Sequence, residues 1–137
     1  MFDIEQSIIF TLAKAYQHVT ADFKEEFEGC GITPPQFILL AFLWEKEGLS
    51  QVELSQVTKI DRASMVGIID RLEKSGFLTR QTCSEDRRIN RVWLTDKGKS
   101  LEQEFCQVAC RVMDRITVRI TPEGCVRLQD LLVKLLN

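Results

Sequence analysis

Apolar residues recur every three or four positions along most of this chain, so helices are the expected elements. Ile4, Ile8, Leu12, Tyr16, Val19, Phe23 and Phe27 form the first stripe. They predict an amphipathic helix from about Asp3 to Glu28, ended by Gly29-Cys30-Gly31. Thr33-Pro34-Pro35-Gln36 starts a second helix. Thr33 is its cap, Pro34 sits where a missing N–H costs nothing, and Gln36 completes a capping box. Phe37, Leu40, Ala41 and Trp44 are its expected buried stripe, with Trp44 as core or pocket wall. Glu45-Lys46-Glu47-Gly48 forms a polar exit.

Two shorter helices follow. In Leu49-Ser50-Gln51-Val52-Glu53-Leu54 the spacing of Ser50 and Glu53 is again that of a capping box. Leu54 and Val57 are expected on one face. Thr58-Lys59-Ile60 breaks the pattern, and Asp61 can cap a second helix whose stripe is Met65, Ile68, Ile69 and Leu72. Ser75-Gly76 stops it. Two short helices joined by a tight turn read as a helix-turn-helix over about 50–76, whose second helix enters a DNA major groove. Phe77–Cys83 and Arg91–Thr95 then read as paired strands around the polar turn Ser84-Glu85-Asp86-Arg87-Arg88-Ile89-Asn90. The hairpin is a wing over about 77–95, with two arginines at its tip suited to the negative potential of a narrow minor groove.

After the wing, Thr95-Asp96 is expected to cap a long helix with Leu101, Phe105, Val108, Val112 and Ile116 on its apolar face. Cys106, Ala109, Cys110 and Met113 broaden that face. Thr121-Pro122-Glu123 repeats the cap-then-proline device and starts a last helix. Val126, Leu128, Leu131, Leu132, Leu135 and Leu136 cover more than one side of it. Helices this apolar have more surface to bury than one small domain hides, and mutual burial across a two-fold axis disposes of it. The fold class is therefore mainly α with a small β-hairpin wing: one domain over residues 1–137, with a winged helix over 33–95. The terminal helices, 1–31 and 96–137, dimerise.

Composition adds three constraints. The 137 residues suffice for one domain with a real core. No apolar run approaches the roughly 20 residues that span a bilayer. The N-terminus carries Asp3 and Glu5 rather than a basic segment, so the expected location is cytoplasmic, with no membrane partner. The net charge of −2 hides a gradient. Residues 1–57 hold 3 Lys/Arg against 9 Asp/Glu, residues 58–92 hold 8 against 5, and residues 93–137 hold 7 against 6. Positive charge is thus concentrated on the second helix of the pair and the wing, as a DNA-facing surface requires. Five cysteines (Cys30, Cys83, Cys106, Cys110 and Cys125) are an odd number, and a disulfide framework is not expected. Buried, unreactive thiols are the default. His18, the single histidine, lies on the polar side of the first helix with no nucleophile in matching context. No phosphate loop, metal-protease motif or catalytic triad stands out. No catalytic residue, metal or cofactor is assigned.

Four fragments in order resemble the MarR-type (multiple antibiotic resistance regulator) winged-helix transcription regulators. They are Gly31-Ile32-Thr33-Pro34-Pro35-Gln36-Phe37, Leu49-Ser50-Gln51-Val52-Glu53-Leu54, Ile69-Asp70-Arg71-Leu72-Glu73-Lys74-Ser75-Gly76-Phe77-Leu78, and Asp86-Arg87-Arg88 with Val92-Trp93-Leu94-Thr95-Asp96-Lys97-Gly98. The resemblance covers nearly the whole chain. It implies a homodimeric, sequence-specific regulator, a repressor of a palindromic operator in double-stranded DNA, modulated by a small-molecule effector. Arg62, Ala63, Ser64 and Met65 are then expected to face base edges. Ser50 and Gln51 are phosphate contacts. By the resemblance Arg88 is the minor-groove arginine, Asp86 helps to position the wing, and Arg87 is a second candidate for the groove. Val66 and Gly67 depart from the pattern, because many relatives carry polar or basic residues there. Direct readout is then thinner, with more left to DNA shape. A thiol-based redox regulator of the same fold is the alternative mechanism, with Cys83 beside the basic wing as its candidate. A winged helix that binds protein rather than DNA, and a cysteine-dependent enzyme, are the alternatives of other classes.

Overall fold

The computed structural model describes every residue from Met1 to Asn137. Its elements are α1 (Ile8–Glu26), α2 (Pro34–Glu45), β1 (Leu49–Ser50), α3 (Gln51–Thr58), α4 (Arg62–Lys74), β2 (Leu78–Thr82), β3 (Asn90–Leu94), α5 (Asp96–Ser100) and α6 (Glu102–Leu136). They form two compact units, Ile32–Cys106 and Met1–Gly31 with Gln107–Asn137.

In the first unit, local chemistry sets the helix starts. Thr33 Oγ1 accepts from Gln36 N at 3.4 Å, and Gln36 Oε1 accepts from Thr33 N at 3.1 Å. This box turns Gln36 inward, so α2 buries Gln36, Leu39, Leu40 and Leu43. The expected stripe is thus displaced: Leu40 is buried, whereas Phe37, Ala41 and Trp44 are only half-buried. Trp44 spends its indole N–H on the Gly98 carbonyl at 2.9 Å and sets its ring edge against Phe37 and Phe105.

The eight residues of α3 are too few for an isolated helix to be stable. They are held by Leu54, which has no exposed surface, while Val57 rolls outward and is 43% exposed, against expectation. Lys59 takes the left-handed conformation (φ 60°) at the turn. α4 then buries Met65, Ile68, Ile69 and Leu72. Gly76 (φ 82°) closes it, with Gly76 N donating to Glu73 O and Phe77 N to Leu72 O, both at 3.0 Å.

The wing is a three-stranded antiparallel sheet in the order β1-β3-β2 rather than a bare hairpin. β2 and β3 pair from Leu78↔Leu94 to Thr82↔Asn90, and β1 adds Leu49↔Val92 and Ser50↔Arg91. Leu78, Val92 and Leu94 face the core. Thr95 caps only the short α5, through Gly98 N at 3.1 Å. The long helix expected from Thr95 breaks at Leu101 and restarts at Glu102. The Gly98 carbonyl, which a continuing helix would offer to residue 102, is taken by Trp44. Phe105 meets Trp44 and Phe77 edge-on. Residues 96–106 therefore belong to the winged-helix unit.

In the other unit, α1 starts at Ile8, later than the expected Asp3, because Ser7 is the cap and its Oγ accepts from Phe10 N at 3.2 Å. α6 is interrupted at Thr121, whose φ of 66° and ψ of 159° lie in a region that β-branched residues avoid. Its hydroxyl caps the Pro122 segment through Gly124 N at 3.2 Å. Charges tie the two helices together. Glu26 accepts from Arg115 at 2.6 Å and from Arg111 at 3.0 Å. Asp22 lies near Arg115 and Arg119, and Arg119 also contacts His18. No helix is long and apolar enough to cross a membrane.

Candidate nucleic-acid interface

The exposed start of α4 is built by its cap. Asp61 Oδ1 accepts from Ser64 N at 2.8 Å and Oδ2 from the Ser64 hydroxyl at 2.8 Å. Ser64 N, ahead of its hydroxyl, holds the Asp61 carboxyl below its ordinary range. Arg62, Ala63 and Ser64 are exposed. Met65 is not: it is 0% exposed. At 100° per residue it shares the core side with Ile68, Ile69 and Leu72, so its assignment to a base edge is corrected. The outward face instead continues through Val66, Gly67, Arg71 and Lys74. The sequence reading does not single out Arg71 and Lys74, which the structure brings onto this face. Their signal was the spacing of four from Ala63 through Gly67 to Arg71, with Lys74 three further on. Arg62, Arg71 and Lys74 take part in none of the protein's ion pairs, so their charge is free for a ligand.

At the start of α3, Ser50 Oγ accepts from Glu53 N at 3.1 Å, while Ser50 N donates to Glu53 Oε2 at 2.8 Å. The Ser50 N–H chiefly lowers the Glu53 carboxyl pKa. Ser50 and Gln51 are half-exposed beside this helix N-terminus, where backbone N–H groups favour an anion. Arg91 of β3 donates to the Gly48 carbonyl at 2.9 Å and lies 3.6 Å from Glu53 Oε2, which ties it to the start of α3.

The wing turn is closed by Cys83 N on Ile89 O at 2.8 Å and Ile89 N on Asp86 O at 3.0 Å. Asp86 accepts from Arg88 N at 3.0 Å, Nε at 3.1 Å and Nη2 at 3.2 Å. The Arg88 side chain is the leading cause of the lowered Asp86 pKa. Arg88 remains 90% exposed, so its guanidinium is oriented without being buried. Arg87 is exposed in the same turn.

A second arginine joins the wing to α4. Arg80 Nη2 contacts Asp70 Oδ1 at 2.7 Å and Glu73 Oε1 at 3.0 Å, and Arg80 N donates to Glu73 Oε2 at 3.1 Å. Arg80 is therefore spent on structure.

None of the five thiols is fully buried, and none is in a disulfide. Cys106 and Cys110 are exposed; Cys30, Cys83 and Cys125 are half-buried. The expectation of buried thiols fails for a helical reason: on α6, Phe105, Val108 and Val112 take the inward positions. Cys83 is distinct. Backbone N–H groups of Asp86 and Glu85, followed by Arg91, lower its thiol pKa. It lines a shallow wing cavity with Ser84, Glu85, Arg91 and Trp93. No cluster of three or more His, Cys, Asp or Glu is arranged for a metal.

A capped helix-turn-helix with a free cationic face, followed by an arginine-tipped sheet, is a winged helix-turn-helix, a fold of the DNA-binding type. Residues 32–89 match the model of the MarR family. The chain is 28% identical over 105 residues to the organic hydroperoxide resistance transcriptional regulator of Bacillus subtilis (strain 168), covering 77% of this chain and 71% of that protein. Among solved structures, Bordetella bronchiseptica BpsR, whose DNA binding is regulated by 6-hydroxynicotinic acid, superposes with a TM-score of 0.93 at 27% identity, over 100% of this chain and 98% of BpsR. The transcriptional repressor CouR, bound to a 23-mer DNA duplex, gives a TM-score of 0.90 at 27% identity over 98% of this chain and 95% of CouR. Over residues 32–89 the chain is similar to the MarR family, and its whole fold is similar to those of the transcriptional regulators BpsR and CouR.

Proposed function

We propose that the protein is a homodimeric repressor that binds a palindromic operator and releases it in response to a small molecule in the cytoplasm. The observation that carries the DNA reading is the pairing of free cations on α4, Arg62, Arg71 and Lys74, with the oriented Arg88 at the wing tip. In this mode Arg62, Ala63 and Ser64 meet base edges, Ser50 and Gln51 meet phosphates, and Arg88, with Arg87 beside it, enters the minor groove. Self-association is supported by the apolar faces of the terminal-helix unit: Ile8 is 73% exposed and Leu135 64%. Ile9, Leu12, Tyr16, Leu132 and Leu136 line one apolar groove there. Surface of this kind is seldom left to water. Effector control is supported by the likeness to BpsR and its 6-hydroxynicotinic acid.

Selection of duplexes from a random pool tests the reading. A palindrome with half-sites about one helical turn apart is expected. Recovery of no sequence, or sedimentation of the intact protein as a monomer at micromolar concentration, overturns it.

A second reading is favoured by Cys83, half-buried in a wing cavity with Arg91, its thiol pKa lowered by the backbone N–H groups of Asp86 and Glu85 and then by Arg91. In it, a hydroperoxide transfers one oxygen to the thiolate, giving a sulfenic acid and leaving as the alcohol. The likeness to an organic hydroperoxide regulator supports this chemistry class.

A further inference from the structure

Gly67 lies in the interior of α4, where glycine is a poor helix former. A Cβ built there would stand 3.3 Å from Arg71 Nη2 and 4.0 Å from its Cζ. Helical side chains lean toward the N-terminus, over the residue four positions back. Here that residue has no side chain, so the Arg71 guanidinium settles on the helix surface one turn nearer the start of α4. Ala63 and Val66, exposed on the same stretch of α4, are small or apolar and offer no side-chain hydrogen bond. Asp70, the nearest carboxylate in sequence, is engaged by Arg80 at 2.7 Å. The Arg71 guanidinium, planar and outside every ion pair, thus lies across the bare helix surface at Gly67.

We propose that Arg71, seated over Gly67, reads a base in the major groove and that Gly67 is the specificity-determining residue that allows it. The guanidinium takes the place that a side chain at position 67 would fill. Its fork geometry suits O6 and N7 of guanine. This inference rests on the DNA-binding reading above and names a contact within it.

The test takes the duplex selected by the intact protein, its single-base-pair variants and a scrambled duplex. Arg71→Ala should lose about ten- to hundredfold in affinity for the selected duplex. It should also lose its preference at one base pair in each half-site, while binding the scrambled duplex nearly as before. Gly67→Ala should weaken preference at that same base pair, because the added methyl displaces the guanidinium. Alanine is the better helix former, so this variant should keep or raise thermal stability. The readout therefore holds even if Arg71→Ala folds poorly. Unchanged base preference in both variants overturns the proposal. So does an equal loss by Arg71→Ala on selected and scrambled duplexes, which would mark a phosphate contact. If the intact protein selects no duplex, the DNA-binding reading itself falls, and this proposal with it.

Discussion

A Cβ on residue 98 would stand 2.0 Å from the carbonyl oxygen of Phe77. Glycine at 98 lets α5 seat against the residues that follow α4, where Thr95 N donates to that same oxygen at 3.0 Å. The obstructing atom is backbone and cannot swing aside. Gly98→Ala should therefore destabilise the protein by about 1–3 kcal/mol or more, read as a lowered urea midpoint. An unchanged midpoint would mean that α5 does not pack this way.

Met65 belongs to the core, and its truncation should behave accordingly. Met65→Ala should cost about 2–5 kcal/mol of stability. At temperatures where the variant remains folded, its base preference should match that of the intact protein. A changed preference without lost stability would return Met65 to the interface.

Arg88→Ala should act through electrostatics. It should weaken binding to cognate and scrambled duplexes alike and flatten the salt dependence by up to about two phosphate equivalents per dimer. Folding should be nearly untouched, because the side chain is exposed. Wild-type affinity and salt slope on both duplexes would mean that the wing does not touch DNA.

The Glu73 carboxyl is held below its ordinary range, first by the Arg80 guanidinium and then by the Arg80 N–H. A depressed folded pKa stabilises the native state above the unfolded pKa, and this is lost as pH falls through the folded one. Glu73→Gln should therefore be less stable than the intact protein near neutrality. The difference should close as pH falls into the carboxylate range. Glu73 is partly exposed, which keeps the effect modest. Denaturation midpoints measured from neutral to acid pH check it; a gap that widens toward acid contradicts the clamp.

If Cys83 is the sensor, an organic hydroperoxide should weaken DNA binding by the intact protein, while Cys83→Ser binds normally and resists the oxidant. A gel-shift series with increasing oxidant gives the comparison. Equal loss in both proteins would move the effect to another thiol or reduce it to damage.

The legible features were those set by nearest neighbours. Thr33, Ser50 and Asp61 cap helices because the capping oxygen and the N–H that donates to it lie three residues apart, and that spacing is written in the chain. β1 was not legible, since two residues have no alternation and exist as a strand only through Val92 and Arg91. The break at Leu101 likewise depends on Trp44, distant in sequence. Within the candidate interface, Arg62, Ala63 and Ser64 followed from their place behind the Asp61 cap. Met65 fits both the core stripe and the groove-facing start of α4 by its place in the sequence, and only packing separates the two. Arg71 went unnoticed because its position depends on what is missing at residue 67.

The Arg80 clamp has a mechanical consequence. With one guanidinium gripping both Asp70 and Glu73, α4 and the base of the wing form a caliper with jaws of fixed gap. On the proposed binding mode, the distance between major-groove and minor-groove contacts is then a property of the protein. Any mismatch, such as one extra base pair between the two contacts, must be absorbed by bending or twisting the duplex. An effector that tilts the caliper would withdraw both jaws together, so release from DNA should be all-or-none within each half-site.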